Sequence, residues 1–529
     1  SHDSKISGSM INTKRRRLGP PAAMLPDTTL AALKRTAALP AERTAATLDA
    51  LLVLVTADEK LLWNRLPEAQ CWRALHARAS PIALKFRTAT LTNARQSLAL
   101  LGYVKSNASS FERLSFAGRL VRELAARRPK RIGLIVSPAL EDCAQWCEAL
   151  LSAVWSESFA LPDFRTRADD AWALQAIELY ASPPLDIERI AASARAGNLV
   201  RALTALPPNV LDARAYRRLL TALARRHGLG LQWYSEARLR GLGAGAFLAV
   251  ARGNAARNAG IAHLRWRGAH HRRRAGSHGP DVALVGKGIL FDTGGVNLKP
   301  HRSMLEMHTD MAGSAVALAS LVALAELKAD LNADAWLAIS ENNTGPTAYR
   351  PQEVVRASNG TTIQVIHTDA EGRMVLADTL ALAARTRPRL TIDFATLTGA
   401  CVHALTERYS GVFTNRPELA DALIAAGRAS GERVWNFPMD ADFDSDLDST
   451  VADIMQCALE GKGDHILAAR FLQRFIGDVP WVHVDLASAT RRGGLAHVGT
   501  DITGFGVRFV LELLLSQRLH TRAFGPGPR

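Results

Sequence analysis

Two short segments that combine acids, cationic residues and glycines constrain this chain more than any other feature. The later segment, residues 367–373, reads HTDAEGR. In an extended segment, alternate side chains point the same way. The sequence therefore predicts that Asp369, Glu371 and Arg373 share one face.

Four acids in and around the two segments lie among apolar or glycine-rich neighbours. An isolated carboxylate is costly to bury, so a buried cluster of this kind needs positive partners. For any single aspartate–lysine pair, an ordinary surface salt bridge is the alternative. The four acids together indicate a metal site. They are Asp292, Asp310, Asp369 and Glu371.

The earlier segment, residues 286–299, reads GKGILFDTGGVNLK and supplies two lysines. Together with the arginine of the later segment they give three nearby cations, Lys287, Lys299 and Arg373, which are outnumbered by the acids. Oxygen ligands suit hard or borderline divalent ions such as Mg, Mn and Zn. Two ions that share bridging carboxylates would satisfy such a cluster.

These two segments resemble the signature of the leucine aminopeptidase family of di-metal exopeptidases, and the string TDAEGR is its most specific part. Further matching blocks follow in order along the C-terminal part of the chain. They are Glu341-Asn342, Arg350-Pro351, residues 395–400, residues 411–415 and residues 481–485.

The resemblance implies five metal ligands, and all five are intact in this sequence. Asp292 and Glu371 would bridge two divalent ions, which the family draws from Zn, Mn and Mg. The tighter site would add Lys287 and Asp310, and the exchangeable site would add Asp369. A lysine binds metal only as a neutral amine, so the dication would have to lower the pKa of Lys287 strongly.

The activity implied by the resemblance is hydrolysis of the first peptide bond of a peptide. Lys299 would stabilise the oxyanion that develops on the carbonyl oxygen, together with metal. Arg373 would hold a bicarbonate that carries a proton from water to the leaving amine, because a guanidinium binds planar anions at two points. No protein side chain would then be the general base.

For the substrate, the resemblance implies a side-chain pocket formed by Met307, Thr396 and Gly399, with the Leu397 carbonyl receiving a proton from the substrate amine. Met307 offers a flexible apolar wall, and simple core filling is the alternative for this residue. We expect short peptides that begin with leucine or another apolar residue as substrates. The resemblance also implies a homohexamer.

Some positions depart from the usual family pattern, among them His308-Thr309 before Asp310 and residues 312–314 after it. The departure inside the string is His367, which stands where an asparagine generally opens it. Two interpretations of this histidine remain open. It could be a pH-sensitive neighbour of the metals, or it could make a structural hydrogen bond.

The 529 residues exceed the usual size of one domain, and the chain is therefore expected to form two α/β domains. The resemblance implies that the larger, C-terminal one is catalytic and has a mixed central sheet that carries the di-metal site. The predicted divisions are residues 1–26 as a tag remnant and flexible lead, residues 27–197 as the smaller N-terminal domain, and residues 198–529 as the catalytic domain.

Several segments have the patterns of buried strands and helices. Residues 51–55 and 131–136 predict strands that alternate with helical stretches such as residues 111–128, which is typical of α/β layers. In the second domain, residues 282–285 predict a strand that ends at the glycine-rich loop, where ligands of open α/β sheets collect. Residues 311–327 predict a buried helix in which Gly313 permits close packing.

The cysteine content and hydropathy point to a cytoplasmic enzyme without a transmembrane helix. Five cysteines are few for this length and suit a reducing compartment. Cys143 and Cys147 are expected to be buried thiols. Every apolar run that approaches the length of a membrane span contains charges.

A net charge of +15 is the one feature that an aminopeptidase does not require. Basic clusters at residues 14–17 and 270–274 keep open a different class of function, a nucleic-acid-binding or scaffold protein that retained the hydrolase fold. The intact acids and lysines argue against that alternative, because unpaired buried charges would only cost stability.

Overall fold

The computed structural model describes residues 25–522 apart from residues 61, 79–80, 167–170 and 270–278. Residues 1–24 of the predicted lead, which runs to residue 26, and both basic clusters, residues 14–17 and 270–274, lie outside the described residues.

The described N-terminal residues contain one six-stranded sheet. Its strands are β1 (Ala32–Thr36), β2 (Ala50–Val55), β3 (Phe86–Thr90), β4 (Leu98–Tyr103), β5 (Arg131–Val136) and β6 (Ala176–Tyr180). The order across the sheet is β1-β6-β5-β2-β4-β3. All neighbours pair in parallel except β3, which is antiparallel to β4 at one edge.

The predicted strands at residues 51–55 and 131–136 are confirmed as β2 and β5. Every residue of β2 is buried, as expected for a central parallel strand with both faces covered. The helices of this part are α1 (Glu42–Ala45), α2 (Ala69–Ala77), α3 (Ser110–Ala125) and α4 (Cys143–Glu157). The prediction at residues 111–128 is confirmed as α3, and the Cys143 and Cys147 thiols are free and buried on α4.

A long helix, α5 (Ile187–Thr204), contains the predicted domain boundary at residue 198 and contacts elements on both sides of it. The Asn198 side-chain amide donates to the Trp155 carbonyl oxygen on α4 at 3.1 Å. The Arg195 guanidinium pairs with Glu326 at 2.9 Å, far along the C-terminal part of the chain. The two parts of the protein are therefore joined by a packed helix.

The C-terminal part is built on an eight-stranded mixed sheet. Its strands are β7 (Gly230–Ser235), β8 (Gly260–Arg267), β9 (Val282–Asp292), β10 (Asn332–Asn342), β13 (Leu390–Ala395), β14 (Ser410–Thr414), β15 (Val434–Asn436) and β17 (Trp481–Asp485). The order across the sheet is β15-β14-β17-β13-β9-β10-β8-β7. The central strands β17, β13, β9 and β10 are parallel. A small sheet joins β11 (Val354–Arg356), β12 (Thr362–Gln364) and β16 (Ile454–Met455). The predicted mixed α/β architecture is confirmed.

The helices of this part cover both faces of the large sheet. They are α6 (Ala213–His227), α7 (Glu236–Gly241), α8 (Gly245–Ala251), α9 (His301–Met304), α10 (Ala312–Glu326), α11 (Glu371–Ala384), α12 (Gly399–Leu405), α13 (Ala420–Ser430), α14 (Asp464–Ile476) and α15 (Val507–Leu511). Neighbouring residues of β9 pack on opposite faces of the sheet. Leu284 lies in one core cluster with Leu318 of α10, and Val285 lies in the other with Leu376 of α11.

One segment of the described chain, His301–Glu326, is long and apolar enough to span a membrane by length and composition. It contains α10, the helix predicted at residues 311–327, and 83% of its most apolar window is buried inside the protein. A buried helix in the core of a protein passes the same test, and α10 occupies that position beside β9.

The close contact between α10 and the sheet depends on Gly313, as the sequence predicted. A Cβ added there would lie 2.1 Å from the Phe394 carbonyl oxygen of β13. We expect Gly313→Ala to lower the free energy of unfolding by about 1–3 kcal/mol, because the backbone has to shift. Thermal or urea unfolding measures this change.

The matched control is Gly197→Ala in α5, where an added Cβ meets nothing within 4 Å. Alanine restricts the unfolded chain and favours helix, so this variant should be as stable as the original protein or more stable by about 0.4–1 kcal/mol. Equal stability of the two variants would contradict the proposed packing of α10.

Candidate active site

Lys287 lies inside a strand and not in a loop, because β9 continues past the predicted end at residue 285 to Asp292. The two glycines that suggested a loop have a packing role. A Cβ on Gly286 would lie 2.5 Å from the Ser314 Cα of α10, so the glycine allows the helix to cross the strand closely. The strand delivers Lys287 and Asp292 to the carboxyl edge of the sheet.

The extended conformation predicted for residues 367–373 is wrong. Thr368 and Asp369 form a turn, and Glu371 is the first residue of α11. A carboxylate is favoured in the first turn of a helix by the partial positive charge there. Consequently, Glu371 and Arg373 contact different groups, Glu371 pairing with a lysine and Arg373 with another acid.

The Lys287 ammonium is buried and has three oxygen partners. It lies 2.8 Å from Asp310 Oδ1 and 2.8 Å from Glu371 Oε1, and it donates to the Thr396 carbonyl oxygen at 3.1 Å. The Thr396 hydroxyl also donates to Asp310 Oδ1 at 2.7 Å. Lys287 therefore joins the strand β9, Asp310 and the N-terminus of α11.

The second lysine, Lys299, pairs with the other two acids. Its ammonium lies 2.9 Å from Asp292 Oδ2 and 2.5 Å from Asp369 Oδ1. The Asn342 side-chain amide, at the end of β10, donates to Asp292 Oδ1 at 2.8 Å and to the Thr368 carbonyl oxygen at 3.0 Å. This asparagine fixes the two acid-rich segments relative to each other.

Three of the acids can contribute oxygens to one ion, since one carboxylate oxygen each of Asp292, Asp369 and Glu371 lie within 4.8 Å of one another. Asp310 Oδ2 and Glu371 Oε2 are buried and have no hydrogen-bond partner in the described part of the chain. Buried carboxylate oxygens without partners are rare in folded proteins. Divalent cations would satisfy them, so the residues fit a metal centre.

The pKa values of the buried acids also indicate that the cluster has too little positive charge for its carboxylates. Burial, more than the neighbouring charges, raises the pKa of Asp310 to about 6, and it raises the pKa of Glu371 well above its ordinary value. Burial lowers the pKa of Lys287, but the charges of Asp310, Glu371 and Asp292 outweigh it and the net shift is upward. A dication among these carboxylates would reverse that balance and favour the neutral amine.

Arg373 does not neutralise the four acids, contrary to the charge count made from the sequence. Its Nη2 lies 2.8 Å from both Oδ1 and Oδ2 of Asp464, the first residue of α14, and Nη1 donates to the Gln456 carbonyl oxygen at 3.3 Å. Four carboxylates therefore face two lysines. Asp464 is not among the residues predicted from the sequence, and the signal for it is that a buried arginine needs an acid as a partner.

A cavity of about 550 Å³ brings together all the residues that the sequence singled out. Met307 is half-buried in a short 3-10 helix and lines this cavity, so it does not fill the core. The acid Asp464 lines it too. The predicted residues on its wall are Lys287, Asp292, Lys299, Met307, Asp310, Asp369, Glu371, Arg373, Thr396, Leu397 and Gly399.

The loop after β13 is held by a buried acid, Asp485, at the end of β17. Asp485 Oδ1 accepts from the Leu397 N–H at 3.1 Å, and Oδ2 accepts from the Thr398 hydroxyl at 2.7 Å. These bonds leave the loop on the cavity wall. His367 makes a structural contact of the kind considered above, since its Nδ1 accepts from the Asp369 N–H at 3.2 Å.

The chain is similar to known proteins over most of its length. The model of the cytosol aminopeptidase family, catalytic domain, matches residues 198–511. A "Probable cytosol aminopeptidase" of Syntrophotalea carbinolica is 38% identical over 448 residues, which are 82% of this chain and 88% of that protein. The protein of the same name in Wolbachia pipientis is 35% identical over 416 residues, 76% of this chain and 80% of the relative.

A solved structure has the same architecture. The bottromycin maturation enzyme BotP in complex with Mn superposes with a TM-score of 0.76 and is 30% identical in sequence. The similarity covers 89% of this chain and 99% of that one, so it includes both sheets.

Proposed function

Because the chain belongs to the cytosol aminopeptidase family, whose members are metal-dependent aminopeptidases, we propose that it removes N-terminal leucine and other apolar residues from short peptides with two divalent ions. The observation that carries this proposal is the pair of buried, partnerless carboxylate oxygens of Asp310 and Glu371 beside Lys287, among the residues that the structure describes.

We propose that the ions are held by the four acids and by Lys287 as a neutral amine, with Asp292 and Glu371 shared between them. When bound, the ions supply Lewis-acid polarisation of the substrate carbonyl and an acidified water. Zn, Mn and Mg all suit this mixture of carboxylate and amine ligands, and the similar BotP enzyme was solved in complex with Mn.

Lys299 stabilises the negative charge that develops on the carbonyl oxygen of the substrate. Its ammonium is largely buried, is held by Asp292 and Asp369, and lies on the cavity wall. A preorganised cation in a cavity screened from water needs little rearrangement when this charge forms, which is why such groups contribute strongly to catalysis.

The substrate side chain lies against Met307, Thr396 and Gly399, and the Leu397 carbonyl oxygen accepts a hydrogen bond from the substrate amine. A Cβ on Gly399 would meet nothing within 4 Å, so this side of the cavity is open for an apolar side chain. The family resemblance further supports a homohexamer and a cytoplasmic location as proposals, and gel filtration with light scattering tests the first.

The test of the proposed function is hydrolysis of leucine p-nitroanilide and a panel of dipeptides by the purified protein. We expect activity to disappear with a chelator and to return with Mn, Zn, Mg or Co, and the ion that restores most activity indicates the metal preference. Absence of turnover with every ion, despite bound metal, would favour the alternative of a basic nucleic-acid-binding or scaffold protein.

A further inference from the structure

The Asp464 carboxylate pairs with the Arg373 guanidinium, the group for which the family resemblance implies a bound bicarbonate. Arg373 is buried on α11, and Asp464 begins α14. Both carboxylate oxygens of Asp464 lie 2.8 Å from Arg373 Nη2. The Asp464 side chain is 26% exposed and lines the same cavity as the acids and lysines of the proposed metal centre.

A bicarbonate does not fit beside this ion pair. Nη1 of Arg373 donates to the Gln456 carbonyl oxygen, and Nε is its one nitrogen without a hydrogen-bond partner among the described residues. Two-point binding of a planar anion through Nε also requires Nη2, which Asp464 occupies. A second anion there would also be repelled by the Asp464 carboxylate at short range.

We infer that the Asp464 carboxylate replaces bicarbonate at Arg373 and carries the proton during hydrolysis. The inference rests on the proposed aminopeptidase function and adds a catalytic residue to it. An internal carboxylate held by a guanidinium has the same acceptor atoms as a bound bicarbonate. It differs because it is part of the chain and is present at every turnover.

The proton balance of this step is complete without another reactant. A water O–H bond breaks, its proton moves to an Asp464 oxygen, and the water oxygen forms a bond to the carbonyl carbon of the substrate. When the C–N bond then breaks, the same proton passes from Asp464 to the leaving amine. Asp464 ends as a carboxylate, and Arg373 keeps it oriented throughout.

A purely structural ion pair is the competing explanation, because a buried arginine needs a negative partner whether or not it takes part in catalysis. Such a pair predicts lower stability for a variant of Asp464, but it predicts no effect of bicarbonate on the rate. The response to bicarbonate therefore separates the two explanations.

The experiment compares the original protein with Asp464→Ala and the isosteric Asp464→Asn in bicarbonate-depleted buffer, with leucine p-nitroanilide as the substrate. Metal content and melting temperature are measured for each protein. Glu460→Gln is the matched control, because Glu460 also lines the cavity but is exposed and pairs with Lys462.

We expect the original protein to be equally active with and without bicarbonate, and both Asp464 variants to lose activity about a hundredfold or more with metal retained. Bicarbonate should restore part of the activity of Asp464→Ala, which has room for the anion. Glu460→Gln should stay within about threefold of the original rate, since an exposed ion pair contributes little. Carbon NMR line broadening of labelled bicarbonate should show binding to Asp464→Ala and none to the original protein.

Three results would overturn the inference: a bicarbonate-dependent rate for the original protein, full activity of Asp464→Ala without bicarbonate, or no rescue of a folded, metal-loaded Asp464→Ala. Each of these leaves the metal-dependent hydrolysis by the original protein intact. Failure of the proposed function itself would instead appear as absence of activity in the original protein with every metal.

Discussion

Replacing Lys299 with alanine should lower the turnover number for leucine p-nitroanilide about a hundredfold to a thousandfold while the metal content stays unchanged. Lys299 is not among the proposed ligands, and its two carboxylate partners, Asp292 and Asp369, would gain rather than lose freedom to bind ions. What disappears is the cation proposed to stabilise the negative charge on the substrate carbonyl oxygen.

The contacts of Lys299 hold its ammonium in place before the substrate binds. Its loss should therefore affect the turnover number more than substrate binding. Without metal, burial lowers the pKa of this lysine, but the charge of Asp292 and the hydrogen bond to Asp369 outweigh burial and raise it. Its backbone N–H is also bonded to the Thr293 carbonyl oxygen at 2.9 Å, which fixes the start of the side chain.

The measurement is a full kinetic comparison with metal analysis of the same samples. Lys462→Ala provides the control, because this lysine is 86% exposed and pairs with Glu460, which is exposed as well. It should keep its turnover number. A Lys299→Ala variant with full turnover would exclude the proposed role, and one that had lost its metal would assign Lys299 to the metal centre instead.

The strands and helices that were predicted correctly are those whose burial is evident in the local sequence. β2 and β5 are runs of apolar residues long enough for one buried strand, and α10 is a stretch of small and apolar residues of helical length. In each case the hydrophobic pattern covers nearly the whole element, so the local sequence is sufficient to predict it.

The errors occurred where a residue type has two physical uses. The glycines Gly286 and Gly288 favour a loop in the sequence, but they lie in β9 because small residues let α10 approach the strand. The alternation of residues 367–373 predicts an extended segment, but Glu371 begins a helix. Alternation in so short a string does not distinguish a strand from a turn followed by a helix.

The pairing of Arg373 with Asp464 could not be predicted because it joins residues on two different helices. The residues are 91 positions apart in sequence. Proximity along the chain suggested that Arg373 would balance the nearby acids. The fold instead directs it toward α14, and this leaves an excess of negative charge at the lysines, which is what a metal centre requires.

Because of this excess of negative charge, we expect Glu371→Gln to have a large effect on metal binding and on the rate. Both the metal content and the rate should fall, the rate about a thousandfold or more. Metal ions of such sites contribute about several kcal/mol to transition-state stabilisation, and each 1.4 kcal/mol corresponds to about tenfold in rate. Glutamine keeps the size of the side chain but removes the charge proposed to be shared by both ions.

The same substitution should have opposite effects on stability with and without metal. Burial, aided by the charge of Asp292 and opposed by Lys287, raises the pKa of Glu371 in the folded protein. The folded state then holds a proton that the unfolded chain releases, so metal-free stability falls as the pH rises above the ordinary value of a glutamate. Glutamine does not titrate, and metal-free Glu371→Gln should therefore become the more stable protein toward alkaline pH.

With metal present the order should reverse, because ions that bind only the folded protein stabilise it more the more tightly they bind, and the original carboxylate is proposed to bind them more tightly than the amide. Melting temperatures of both proteins, measured across pH with chelator and with added Mn or Zn, test this reversal of the order of stability.

Glu353→Gln is the control, because the pKa of Glu353 is shifted down whereas that of Glu371 is shifted up. Although burial opposes the shift, hydrogen bonds from Arg252 and Arg350 lower the pKa of Glu353 overall, so its charge stabilises the fold above that pKa and the stabilisation is lost only toward acid. Its replacement should lower the melting temperature equally with and without metal. If Glu371→Gln behaved in the same way, Glu371 would be an ordinary partner of Lys287, and the negative charge gathered at the end of β9 would need an explanation other than metal binding.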